Sequence, residues 1–133
     1  MNLEIVIPEG KVYEDSIDSI VIPTTSGEID FLPGHIPLVT EVEPGEIIVS
    51  KSGDRQSLAI SKGFAQCVGD KISILAEDAI YIDEIDESAV EDAQKRAEES
   101  LATMEKMTDE EIDMLETQIA YARAQIFVKR KNR

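Results

Sequence analysis

The sequence predicts an all-β lobe, a sandwich or a barrel, followed by an antiparallel helical hairpin. Three observations carry that reading. Short β-branched runs recur between turn signals up to about residue 79. Beyond Asp83 the apolar spacing changes from two to three and four. The helical pattern breaks at Lys106-Met107, and a second capping signal, Thr108-x-x-Glu111, restarts it at once.

Taken in order, the β-like runs span residues 3–7, 17–22, 47–50, 58–61, 64–68 and 72–75. Pro8-Glu9-Gly10, Ser52-Gly53-Asp54 and Gly69-Asp70 punctuate them as turns. In the last run Ile72, Ile74 and Ala76 share one face at period two. Cys67 stands in the apolar run Phe64-Ala65-Gln66-Cys67-Val68 and is expected to be a buried thiol in a strand. One cysteine leaves no internal disulfide, and a lone thiol fits a reducing compartment.

The first helix starts with either Ser88-x-x-Glu91 as a capping box or Asp86 as the N-cap. Ala89, Ala93, Ala97, Leu101 and Met104 form its apolar stripe. The second helix carries Ile112, Leu115, Ile119, Ala122 and Ile126 at three–four–three–four spacing, a coiled-coil-like seam. Acids crowd its first turn, and Lys129, Arg130, Lys131 and Arg133 crowd its end, each favoured there by the helix dipole. A connection this short predicts an antiparallel pair. An alanine stripe buries little area, so the hairpin is expected to be the less stable lobe. The division falls at residues 1–84 and 85–133.

Composition narrows the function. A net charge of -15 repels phosphate backbones and disfavours nucleic acid as a partner. No apolar run approaches the ~20 residues that span a bilayer, and the N-terminus does not read as a secretory signal, so membrane association is expected only through a partner. The stretch from Gly27 to Gly34 lacks the Gly-Lys-Ser/Thr ending of a phosphate-binding loop, which argues against an independent ATPase. His35 is the only histidine, so no metal cluster forms around it. The dense carboxylates between Asp83 and Asp113 lack the turn glycine of a calcium loop and read as solvated helix faces. No catalytic residue and no cofactor are expected.

Two segments are more specific. One is Ser26-Gly27-Glu28-Ile29-Asp30-Phe31-Leu32-Pro33-Gly34-His35-Ile36-Pro37-Leu38. The other is Ile60-Ser61-Lys62-Gly63-Phe64, continuing through Asp70-Lys71-Ile72-Ser73-Ile74-Leu75-Ala76. Together they resemble the epsilon subunits of F-type ATP synthases, and the likeness extends over about the whole chain. Two departures stand out. Asp30 replaces a usual glycine, and Lys62 replaces the first glycine of Gly-Gly-Phe, which points to a position that does not need positive φ.

The resemblance implies a β-sandwich of about ten strands with a C-terminal antiparallel α-helical hairpin. It implies a central-stalk subunit between the gamma subunit and the c-ring, peripheral at the cytoplasmic face of the membrane. It also fits a bacterial or plastid-encoded source. Glu28, Pro33, Gly34 and His35 would form the subunit interface, His35 being otherwise readable as a structural loop residue. Arg123, Lys129, Arg130 and Lys131 would form a basic tip that reaches the catalytic beta subunits transiently and brakes ATP hydrolysis; without a partner they complement the helix dipole. The alternative is a nucleotide-sensing hairpin with Asp86, Arg96 and Arg123 as candidates. There Ala89 and Val90 replace the Arg-Ala of the family's ATP motif, and Phe127 falls where another arginine would lie. Glu87, Glu91, Asp92 and Glu98 crowd the same region, so ATP is expected to bind weakly or not at all.

Overall fold

The structure is a computed structural model that describes residues 1–31, 37–103 and 105–132. Among the described residues, ten strands precede two helices. The strands are β1 (Asn2–Ile7), β2 (Gly10–Ser16), β3 (Ser19–Thr24), β4 (Gly27–Phe31), β5 (Leu38–Val42), β6 (Gly45–Lys51), β7 (Asp54–Ile60), β8 (Gly63–Val68), β9 (Lys71–Ala76) and β10 (Ala79–Tyr81). A 3-10 turn, Ile82–Glu84, leads into α1 (Glu87–Thr103) and α2 (Asp109–Lys131).

The strands run in the order β10-β7-β6-β3-β5-β8-β9-β1-β2, with β4 beside β3. Only Thr24 opposite Val42 joins β3 to β5, so the sheet folds there into two layers, a nearly barrel-like sandwich. At the far side the Tyr81 hydroxyl donates to the Val12 carbonyl at 3.1 Å and ties β10 to β2, the two ends of that order. All pairings are antiparallel except β1 with β9. Period-two patterning fills the space between the layers. Leu3 and Ile5, Ile20 and Ile22, Ile47 and Val49, Leu58 and Ile60, and Ile72 and Ile74 are buried there, with Cys67.

The six apolar runs all became strands. The strands they did not mark are β2, β4, β5 and β10. β2 reads Gly-Lys-Val-Tyr-Glu-Asp-Ser and is an edge strand with no buried residue, so it shows no hydrophobic alternation to read. β6 and β7 meet across Ser52-Gly53, both at positive φ, the geometry that a two-residue hairpin turn requires. Asp30 lies in β4 opposite Val21, in extended conformation, so the usual glycine there is replaced without cost to the turn. Gly63 is required by contact: a Cβ there would lie 2.0 Å from the Leu75 carbonyl oxygen across the β8–β9 pair.

Both helices form a hairpin. The Asp86 carboxylate accepts from the Ala89 amide at 3.1 Å, so Asp86 caps α1, which begins one residue later. Thr108 and Glu111 form the reciprocal capping box of α2. In the α1 stripe Ala97 and Leu101 face inward as expected, and the first half is corrected by one position. Ala89 and Ala93 are exposed, whereas Val90, Gln94, Ala97 and Leu101 are the residues turned inward. Alanine pattern alone does not say which alanines face a partner, and Val90 gains more on burial than Ala89. Met104 of that stripe lies outside the described residues. In α2, Ile119 and Ala122 of the expected seam are buried, with Ile112, Leu115 and Ile126 partly so. A second row, Tyr121, Ala124 and Val128, packs the helix onto the sandwich. Ala59 of β7 points outward there, since Leu58 and Ile60 point in, and Val128 and Ile85 close over it.

Candidate functional site

Two surfaces concentrate the ion pairs and the exposed apolar side chains of the molecule. The first is where the end of α2 meets the sandwich. Lys131 Nζ lies 2.6 Å from Glu46 Oε1, and Asn132 Nδ2 donates to Glu46 Oε2 at 3.0 Å. Lys129 Nζ donates to the Ile82 carbonyl at 3.0 Å. Arg130 reaches the other way, to Glu87 at 3.0 Å and Glu91 at 2.8 Å, and joins the end of α2 to the start of α1. Thus three of the four cations of the expected basic tip hold the hairpin closed. Arg123 is exposed and enters no ion pair among the described residues.

Glu46 is the centre of this clasp, with its side chain only 9% exposed. Burial pushes its carboxyl up, but hydrogen bonds from Lys131, Asn132 and Ser57 outweigh burial and hold it below the ordinary carboxylate range. Further along α2, Lys62 of the β7–β8 turn pairs with Asp113 at 3.0 Å and approaches Glu77 at 4.0 Å. The hydrogen bond to Asp113 raises the ammonium pKa above its ordinary value. Lys62 has no positive φ, as its replacement of a glycine suggested. Between these ionic contacts Tyr121 packs with Val128 and Ile85, and burial, with the Asp78 carboxylate adding, keeps its hydroxyl protonated far above neutrality.

The second surface is the outer face of the β5-β8-β9-β1 layer. Val39, Phe64, Val68 and Leu75 are each more than half exposed. Register places Glu41, Phe64, Leu75 and Val6 in one row across four strands. An exposed apolar face of this kind on a sheet is a candidate docking surface. Sequence reasoning passed over it, yet the signal was present: Phe64 and Leu75 sit in the opposite phase to Ala65, Cys67, Ile72 and Ile74, at positions where a solvent-facing sheet carries polar residues.

The remaining expected residues are scattered. Glu28 is exposed in β4, opposite Pro23. Pro33, Gly34 and His35 lie outside the described residues. Of the nucleotide candidates, Arg123 lines a groove between the helices with Lys95, Phe127 and Arg130, and with the acids Glu91 and Glu98. Asp86 and Arg96 do not line that groove; Asp86 is engaged as the α1 cap. Among the described residues no group of three or more His, Cys, Asp or Glu is arranged to hold a metal ion, and no helix is long and apolar enough to cross a membrane.

A family model described as ATP synthase, Delta/Epsilon chain, beta-sandwich domain matches residues 1–82. The chain is 43% identical over 100 residues to the ATP synthase epsilon chain of Koribacter versatilis, covering 75% of this chain and 70% of that one. It is 34% identical over 133 residues to the ATP synthase epsilon chain of Herpetosiphon aurantiacus, covering 100% and 98%. A chain of the Euglena gracilis mitochondrial ATP synthase, OSCP/F1/c-ring, superposes with a TM-score of 0.69 at 22% identity, covering 98% of this chain and 78% of that one. One from the Tetrahymena thermophila mitochondrial ATP synthase central stalk and c-ring gives 0.64 at 12%, covering 97% and 96%. The two structural likenesses speak to the fold.

Proposed function

The chain belongs to the ATP synthase epsilon-chain family, and from that premise we propose that it is a non-catalytic subunit of the central stalk. In this reading the sandwich joins the gamma subunit to the c-ring during ion-driven ATP synthesis, peripheral at the cytoplasmic face of the membrane. The exposed apolar face of Val39, Phe64, Val68 and Leu75 carries the proposal, because covering such a face with a partner removes apolar area from water and is favourable. Gamma is the proposed occupant of that face. Glu28, Pro33, Gly34 and His35 are the proposed subunit-interface residues beside gamma and the c-ring, with Glu28 facing the ring.

The hairpin is the proposed brake on ATP hydrolysis. Its closed form engages Lys129, Arg130 and Lys131 within the chain. Opening would release them, with Arg123, to meet an acidic segment of the catalytic beta subunits. The test is calorimetry of the full chain with purified gamma. Phe64→Ser with Leu75→Ser is expected to weaken binding at least tenfold, since two large apolar contacts at an interface centre are removed. Wild-type affinity in that variant overturns the docking face. Deleting residues 88–133 in the assembled complex is expected to raise hydrolysis, and unchanged hydrolysis removes the brake.

A further inference from the structure

The apolar face runs into a groove of about 920 Å³ between the end of the sandwich and α2. Phe64 and Leu75 form its sheet-side wall, and Asp113, Glu116, Thr117 and Ala120 of α2 form the other. Its rim is acidic. Glu41, Glu43, Glu77, Asp113 and Glu116 stand around it, against one cation, Lys62. Lys62 is already engaged by Asp113 and Glu77, and Glu41, Glu43 and Glu116 enter no ion pair among the described residues.

We propose that this groove seats a helix of the stalk partner that carries an apolar ridge flanked by lysine or arginine, and that a partner seated there holds the hairpin closed. The proposal rests on the docking reading above and extends it from one lobe to two. Charge complementarity selects the occupant. A second copy of this chain, at a net charge of -15, would be repelled by the rim. Lys129, Arg130 and Lys131 are engaged at the other end of α2. An apolar floor between two acidic rails fits an amphipathic element with a basic border. Because one wall is α2 itself, the groove exists only while the hairpin is closed. Any ligand that binds it therefore favours the closed form by its affinity for that form alone.

The full-length chain titrated with purified gamma tests this, with hydrogen exchange of α2 followed in parallel. Glu43→Lys with Glu116→Lys changes two exposed rim residues and is expected to weaken binding about three- to tenfold and to flatten its salt dependence. Amide exchange in residues 109–131 is expected to slow when gamma is added to the wild type. If Phe64→Ser with Leu75→Ser weakens binding while the charge-reversed protein binds as wild type, the groove proposal falls and the docking face stands. If neither variant loses affinity, both fall. Faster or unchanged exchange in α2 on binding overturns the claim that the partner holds the hairpin closed.

Discussion

Between the two sheets, Leu3, Ile5, Ile20, Ile22, Ile47, Leu58, Ile60, Ile72 and Ile74 are sealed from water; in α1 the buried residue is a single alanine, Ala97. Under the hairpin the buried contact with the sandwich reduces to Ala59, Ile85 and Val128. Full burial of one Leu or Ile side chain contributes about 1.5–3 kcal/mol, whereas alanine removes little area from water. The sandwich is therefore held by a deep packed core, and the hairpin by a small packed patch to which placed charges add: Lys131 on Glu46, Lys129 on the Ile82 carbonyl, Lys62 on Asp113. Packing is non-directional and collapses only with the whole core. An ionic clasp can be undone without unfolding anything else. In the proposed reading, this difference lets one small chain combine a fixed platform with an arm that can open.

The strongest way to break that comparison is in the core. Ile74→Ala removes a side chain with no exposure, packed between layers that cannot both relax. It is expected to cost the sandwich about 2–5 kcal/mol. Val128→Ala removes two methyl groups at the helix–sandwich contact and is expected to cost about 1–2 kcal/mol, confined to hairpin docking. Urea titration with separate probes on the lobes checks both. If Val128→Ala lowers the midpoint of the sandwich as much as Ile74→Ala does, the two lobes are one cooperative unit and the contrast is false.

How much of this was legible in the chain follows the same division. The inward alternation of Ile72, Ile74 and Ala76 and the buried Cys67 were readable because packing against a sheet imposes period two on neighbours in sequence. The Thr108–Glu111 box and the Ile119–Ala122 seam were readable for the same local reason. The inward face of α1 was set correctly at Ala97 and Leu101 but wrongly at Ala89 and Ala93, because its partner, α2, decides which of many small residues are covered. The clasp was beyond reach. Glu46 and Lys131 are 85 residues apart and come together only after the sandwich has formed. Lys62 was noticed as a departure from glycine, but its partner on α2 was not foreseeable from spacing. At the proposed docking face, Phe64 and Leu75 were visible as outward apolar residues once the strand phase was known.

A sharper and smaller effect is expected from acid. The Glu46 carboxyl is held below its ordinary value of 4.5 in the folded chain. A depressed folded pKa contributes stability that is present above the unfolded value and lost as pH falls through the folded one. Hairpin docking is therefore expected to be constant from neutrality down to about pH 5 and to weaken below it. Glu46→Gln is expected to cost about 1 kcal/mol of docking at pH 7, the scale of a charge-assisted hydrogen bond replaced by a neutral one, and to remove most of that pH dependence. Glu4 and Asp15 are also held low, by Lys71 and Lys51, but both act within the sandwich. The measurement must therefore be local: α2 amide exchange as a function of pH, in the wild type and the variant. An identical pH profile in the two would assign the acid response elsewhere.

The smallest expected effect separates one end of the arm from the other. Val128 and the Glu46 clasp fix the C-terminal half of α2 to β6 and β7, while Lys62 alone bridges the sandwich to Asp113 near its N-terminal end. That pair is solvent-exposed on both sides, so water and salt compete for it directly. Lys62→Gly is expected to change overall hairpin docking by no more than about fivefold. Its effect should be uneven along the helix. Exchange should quicken around Ile112–Leu115, where the ion pair is the nearest tie to the sandwich, and stay unchanged around Ala124–Val128. Added salt should reproduce the quickening around Ile112–Leu115 in the wild type and add nothing to it there in the variant. Uniform acceleration along all of α2 would mean that the helix leaves as one body, with packing and charge acting together rather than at separate ends.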